Sequence, residues 1–424
     1  MNSKDDFGSE MIKTVFGNIP NDWKLIDFKD FLKIRSEKSN DEAIVKYSVT
    51  NTGIHKRDEK FNKQLAKSSS KFKIIYKNDL VFGMSREILN FGVMKDDIGG
   101  VSSAYNVFKI DDSIDPRYLE LFIRVWSEYF KDIIKPASRE GQGIDKDILL
   151  TKQFYLPTNE YLQKFFYVFD TFNEKIRINE QINKNLEKIG HAIFKHCFIN
   201  FEFPDGDGKP YKSSGGKMID SELGYIPKNW KIVSVSDAVE LNPKLNVDRD
   251  TYKIHVPMTG LSKDSMIITK FEIRSGNSGA KFQNYDTLFA RITPSTEHGK
   301  TGFVQFLDSD EDIAIGSTEF IVMRSKTLNP YYVYCLARYE KLRKHAINSM
   351  TGTSGRQRVQ NDCFNNFFIA QPDEKVLSWF ADLMGPIFQK INLLNEENQN
   401  LASIRDSLLP KLISGEIDVS EVKI

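Results

Sequence analysis

The sequence predicts an α+β protein built twice on one plan, each copy a globular domain followed by a long helix. Three observations predict it. First, "MIKTVFGNIPNDWK" at Met11–Lys24 returns as "MIDSELGYIPKNWK" at Met218–Lys231, an offset of 207. Second, ordered matches continue, from Asp79 and Asp286 to Ser102 and Ser317, where the offset has become 215 and stays near it through Pro157 and Pro372. Third, Tyr161–Phe198 holds no Pro and one Gly, and its residues Phe165, Phe169, Phe172 and Ile176 recur at helical spacing. Adding 215 gives Phe380, Met384, Ile387 and Ile391, the same seam near the C-terminus. Copies of about 200 residues are too long for solenoid units and read as a domain duplication. The difference of eight between the offsets predicts a length change between Arg86 and Ser102, matched by Arg291 and Ser317.

Each copy opens with short β-like runs: "KFKIIY", "LVFGM" and "YNVFKI", then "TLFARI", "GFVQFL" and "EFIVMR". A helix follows in each, "DPRYLELFIRVWSEYFKDII" and "NPYYVYCLARYEKLRKHAI". Both begin with an Asp or Asn cap and Pro at the first helical position. Between the copies, "FPDGDGKPYKSSGGK" at Phe203–Lys217 has a linker's composition. The expected boundaries are a first globular domain at 1–158, a long helix at 159–199 and a linker at 200–218. A second globular domain at 219–373, a long helix at 374–415 and a tail at 416–424 complete the chain.

The seam of the long helices comprises Phe172, Ile176, Asn183, Leu186 and Ile193 in one, and Ile387, Ile391, Leu394, Asn398, Leu401 and Leu408 in the other. A seam of this kind needs a partner, and the other copy's helix has the same phase. Asn183 and Asn398 are equivalent, and a buried Asn pair fixes register at a cost in stability. The alternative packs each helix on its own domain, with its Asn at a wet edge. The polar steps at Asn179, Asn183 and Gly190 are expected where water or partner subunits meet the helix.

At 424 residues the chain exceeds one domain. A net charge of +1 leaves only local patches to argue for nucleic acid. Cys197, Cys335 and Cys363 show no ligand spacing, which points away from zinc and disulfides and fits a reducing cytoplasm. The acidic "MNSKDDFGSE" is unlike a signal peptide, and no apolar run nears the roughly 20 residues of a membrane span.

Catalytic motifs fail one by one. "EHGKT" at Glu297–Thr301 has Pro294 where a phosphate-binding loop needs its first Gly. Asn329-Pro330-Tyr331 lacks the second Pro of an adenine methyltransferase loop, and Asp373-Glu374-Lys375 is a helix start rather than a metal cluster. What remains is binding. Basic residues crowd Lys46–Arg86, among them Lys56, Arg57, Lys63, Lys67 and Lys71, as well as Arg86 itself. The second copy offers Arg291, Thr293 and Lys300, and "TGTSGRQRV" carries Arg356, Gln357 and Arg358 beside glycines. Its counterpart "SREGQGI" carries Arg139 and Gln142. Lys and Arg neutralise phosphates, and Arg, Gln and Asn pair with base edges. The bland reading is a solvated surface loop; its recurrence in both copies argues for DNA.

These features resemble the specificity subunits of type I restriction–modification enzymes. The resemblance rests on "IPNDWK" and "IPKNWK", on "DTLFARITPSTEHGKTGFV" and "IGSTEFIVMRS", on the linker, and on the closing "RDSLLPKLISGEI". The first copy departs from the pattern at "KNDLVFGMSREI", which lacks the Arg-Ile-Thr-Pro of the second. The resemblance implies two target recognition domains related by a pseudo-twofold and separated by two long antiparallel helices forming a coiled coil. Each domain then reads half of a bipartite site in double-stranded DNA. It also implies partners: two methyltransferase subunits using S-adenosylmethionine, and two restriction subunits using ATP and Mg²⁺. The chain itself carries no catalysis and no cofactor under this reading. The alternative is a scaffold whose paired helices assemble partners without reading DNA.

Overall fold

The computed structural model describes residues 11–39, 41, 43–57, 72–135, 143–353 and 355–424. It contains two compact units. One holds the chain up to Asn173 together with Ala402–Ile424, and the other holds Glu174–Leu401. The division falls inside both long helices, the central helix Asn159–Phe194 and the C-terminal helix Glu374–Ile413.

In the first unit a four-stranded antiparallel sheet runs in the order Leu32–Arg35, Asn106–Ile110, Asp79–Phe82, Phe91–Val93. The second unit repeats it as Val239–Leu241, Phe320–Ser325, Thr287–Ala290, Thr301–Phe303. Asp79–Phe82 and Thr287–Ala290 are buried along their whole length, as strands covered on both faces must be. The register is duplicated too. Lys24 lies opposite Leu156, and Lys231 lies opposite Gln371, the residues that offsets of 207 and 215 select.

Register also locates the length change. Phe82 faces Phe91, whereas Phe289 faces Thr301. Gly99 faces Ile75, whereas Ala314 faces Phe282. The offset therefore steps from 207 to 210 before Thr301–Phe303 and to 215 after it, so two insertions share the eight residues.

The short helices start where their caps predict. Asp115 accepts from the Arg117 and Tyr118 amides, and Asn329 accepts from the Tyr332 amide. Both end sooner than the pattern suggests. The first stops at Val125 and continues as a 3₁₀ turn, Ser127–Ile133; the second stops at Arg338 and restarts at Glu340, with Tyr339 extended between. Along these helices the offset is 214, pairing Pro116 with Pro330 and Arg124 with Arg338.

The long helices run antiparallel within each unit. In the first, the Tyr161 hydroxyl donates to the Leu412 carbonyl at 2.7 Å, and Arg405 donates to Asn173 at 2.7 Å. In the second, Asn183 Nδ2 donates to the Ile391 carbonyl at 3.2 Å and Asn398 Nδ2 to the Ile176 carbonyl at 3.5 Å. Adding 215 to Asn183 and Ile176 gives Asn398 and Ile391, so the two bonds join equivalent positions of the two helices. Ile391 and Leu394 are buried; Phe172, Ile176, Leu186, Ile193, Ile387, Asn398, Leu401 and Leu408 are half-buried.

The polar steps Asn179, Asn183 and Gly190 are all buried, so they are not where water meets the helix, and Asn183 does not lie at the wet edge of the alternative reading. Burying an amide is costly unless it is hydrogen-bonded. Asn183 has the Ile391 carbonyl, and Asn179 donates to Glu397 at 2.8 Å and Asn398 at 2.9 Å. The linker is likewise no loose tether. Phe203 stacks on Tyr211 at 4.6 Å and on Trp230 at 4.9 Å, which roots the segment in the second unit's core.

Candidate nucleic-acid interface

In the second unit the strand Thr287–Ala290 delivers Arg291–Thr293 alongside Gln357–Val359. The Thr293 amide donates to the Gln357 carbonyl at 3.0 Å, and the Val359 amide to the Arg291 carbonyl at 2.8 Å. The Gln357 amide returns to Thr293 Oγ1 at 3.1 Å. Opposite, Thr351 and Arg358 exchange both backbone bonds. Five predicted contact residues are thus brought together: Arg291, Thr293, Arg356, Gln357 and Arg358. Lys300 is directed elsewhere, its ammonium donating to the Met258 carbonyl at 3.2 Å.

The three arginines do different things. Arg356 is exposed. Arg358 presents its fork to Glu319, with Nε at 2.9 Å and Nη2 at 2.7 Å from the carboxylate. That pair ties the loop to the turn before Phe320–Ser325 and raises the guanidinium's pKa. A fork so engaged has no bidentate face left for a base. Arg291 donates through Nη2 to the Val359 carbonyl at 2.8 Å, while its Nε is buried without a partner.

Beside this loop lies an open groove of about 550 Å³. Phe320, Val322 and Pro243 form its buried floor, and Lys244, Lys281 and Arg291 stand among its walls. The sequence reading missed Lys244 and Lys281, because isolated lysines on separate segments carry no local signal.

In the first unit Lys56 and Arg86 are exposed. Lys56 lies 3.7 Å from Asp96, and Arg57 donates through Nε to Ser48 at 3.0 Å. Lys63, Lys67, Lys71, Arg139 and Gln142 lie outside the described residues.

Both sheets enclose one buried carboxylate. Asp79 is met by Arg35 at 2.8 Å, from an edge strand; Asp286 is met by Arg324 at 2.7 Å, from the neighbouring strand. Burial raises each carboxyl's pKa while the arginine pulls it down. Removing one partner of such a pair costs about 3–5 kcal/mol, so these groups hold the sheets together. Among the described residues no cluster of His, Cys, Asp or Glu could hold a metal ion, and no helix is long and apolar enough to cross a membrane.

No protein-family model matches the chain. It is similar to the MjaIX type I restriction enzyme specificity subunit of Methanocaldococcus jannaschii, 24% identical over 98% of both chains. The HindI specificity subunit of Haemophilus influenzae is 20% identical, covering 71% of this chain and 76% of its own. Among solved structures, the S subunit of the M. genitalium type I restriction–modification system covers 92% of this chain and 96% of its own, at 12% identity and a TM-score of 0.46. A chain solved in work on assembly and conformational transition of the type I system covers 94% and 99%, at 13% identity and a TM-score of 0.46. Both curated relatives are specificity subunits of type I restriction enzymes, aligned over 98% and 71% of this chain. The chain resembles these specificity subunits, in the first case along nearly its whole length.

Proposed function

We propose that this chain supplies the DNA address of a type I restriction–modification complex in the cytoplasm. Each globular copy reads one half of a bipartite, asymmetric site in double-stranded DNA, and the paired helices set the gap between the halves. The observation that carries this reading is the duplication itself: two sheets of one strand order, and a helix pair whose Asn-to-carbonyl bonds repeat under the 215 offset. Such symmetry suits half-sites about one helical turn, roughly 34–36 Å, apart. Differences in loop residues between the copies make the two half-sites different.

Two methyltransferase subunits dock along the helices in this reading, and two restriction subunits join them. S-adenosylmethionine, ATP and Mg²⁺ belong to those partners. Exposed apolar residues support a pair of equivalent docking faces. Ile178 and Ile189 are exposed on the central helix, and so are Leu393 and Ile404, their images at 215, on the C-terminal helix. A scaffold reading accounts for these faces but not for the cationic loop and groove on the second globular copy.

Mapping modified adenines across genomes of cells with and without this gene tests the proposal. Methylation confined to one gapped motif, present only with the gene, is the expected result. Identical maps in both cells contradict it.

A further inference from the structure

We infer that the groove beside the Arg356–Arg358 loop is a clamp for the phosphate backbone, used by the second half-site alone. The inference rests on the DNA-reading function proposed above and assigns the groove a part in it. Three cations, Lys244, Lys281 and Arg291, line the groove, and none of its lining residues is acidic. The nearest acid along the chain, Glu319 beside Thr318 and Phe320, is neutralised by Arg358 at 2.7 Å. Uncompensated positive charge around an apolar floor suits a sugar–phosphate chain, with sugars on Phe320 and Pro243 and phosphates at the rim.

The groove's backbone is built for close approach. Gly279 has φ of +98°, and a Cβ there would sit 2.0 Å from the Gly316 carbonyl oxygen, so no other residue fits that wall. Arg291 connects the groove to the loop through its bonds to Val359, which places phosphate and base contacts on neighbouring segments.

The first copy does not carry these three cations at the equivalent positions. Subtracting 207 turns Lys244 into Glu37, Lys281 into Ile74 and Arg291 into Met84. Glu37 accepts from the Tyr76 hydroxyl at 3.1 Å, and Ile74 is buried. Arg35, at the position of Asn242, is committed to Asp79. This set of three cations is therefore private to the second copy.

The test uses the chain assembled with its methyltransferase subunits. A random-sequence duplex library first yields the wild-type site, and a duplex carrying that site is the probe. Lys244→Gln with Lys281→Gln is then compared with wild type across a salt series. Each lost phosphate contact lowers the slope of log affinity against log salt by about 0.9, so the double variant should lose nearly two units of slope. Affinity should fall about tenfold or more at moderate salt, with both half-site sequences unchanged and the unfolding midpoint within a degree or two of wild type. An unchanged slope and affinity overturns the clamp. So does a changed second half-site with an unchanged slope, because the groove then reads bases. Should the wild-type complex select no sequence at all, the DNA-reading function fails, and the clamp with it.

Discussion

Two junctions, one in each unit, solve the same problem with different atoms. In the first, Arg124 at the end of the short helix pairs with Glu120 one turn earlier. In the second, the equivalent arginine, Arg338, has Tyr334 at that position, and its Nε donates to the tyrosine hydroxyl at 3.0 Å. The carboxylate comes instead from the central helix. Glu187 lies 3.7 Å from Arg338 and accepts from Ser265 at 2.9 Å, from the Met266 amide at 2.7 Å and from Tyr334 at 3.3 Å. Its counterpart on the C-terminal helix is Ala402. Burial differs accordingly: the side chains of Arg124 and Glu120 are 29% and 17% exposed, those of Arg338 and Glu187 only 9% and 7%. A local i,i+4 pair became a long-range one, and with it the second unit's fold came to depend on a buried charge in the long helix.

Breaking that dependence should give the largest effect. Glu187→Ala leaves Arg338 buried and unpaired, which costs about 3–5 kcal/mol. Urea unfolding of the chain measures it. Adding Tyr334→Glu restores the first unit's arrangement and should recover more than half of the loss. A double variant no more stable than the single shows that the junctions are not interchangeable.

The next effect is in pH. His191 stacks on Tyr334 at 5.8 Å, and burial together with Arg338 holds its pKa down at about 4. The unfolded chain takes up this proton near pH 6.5 and the folded one only near 4, so stability falls as pH drops between those values. The contribution is at most about 3 kcal/mol, from 1.36 kcal/mol per unit. The first unit has the exposed Asp406 at the matching position and lacks this effect. His191→Phe should flatten the unfolding midpoint between pH 6.5 and 4; an unchanged fall assigns the dependence to other groups.

The loop arginines should separate in binding. Arg356→Ala removes an exposed fork and should cost about 1–3 kcal/mol at one half-site, relaxing its sequence. Arg358→Ala should loosen the loop instead, lowering stability and affinity for all sequences alike. Equal sequence relaxation in both variants contradicts this division. Smallest is the helix pair. Asn183→Ala should cost about 1 kcal/mol, and Asn398→Ala more, because it also removes an acceptor from the buried Asn179. Equal losses show that the Asn179 bond contributes nothing.

Much of the fold was legible in the sequence because repetition is visible in one dimension. The 207 and 215 offsets carry over to the strand registers, Lys24 with Leu156 and Lys231 with Gln371. Caps at Asp115 and Asn329 were legible because their chemistry is local. The early helix ends at Val125 and Arg338 were not, since no Pro or Gly marks them. The site was legible only as a charge pattern. Glu319 lies 39 residues from Arg358, and nothing local predicts their pairing. Lys244, Lys281 and Arg291 come together only when separate strands and loops meet. The burial of Asn179 was not legible, because its acceptors Glu397 and Asn398 lie on the other helix.

The most direct test of the account is equilibrium selection. The chain, assembled with methyltransferase subunits, is presented with a random-sequence duplex library, and bound and unbound pools are sequenced. The account predicts one site of two different half-sites at a fixed gap, the second of them altered by Arg356→Ala and the first untouched. Uniform recovery of the library, or a site unaffected by Arg356→Ala, contradicts it.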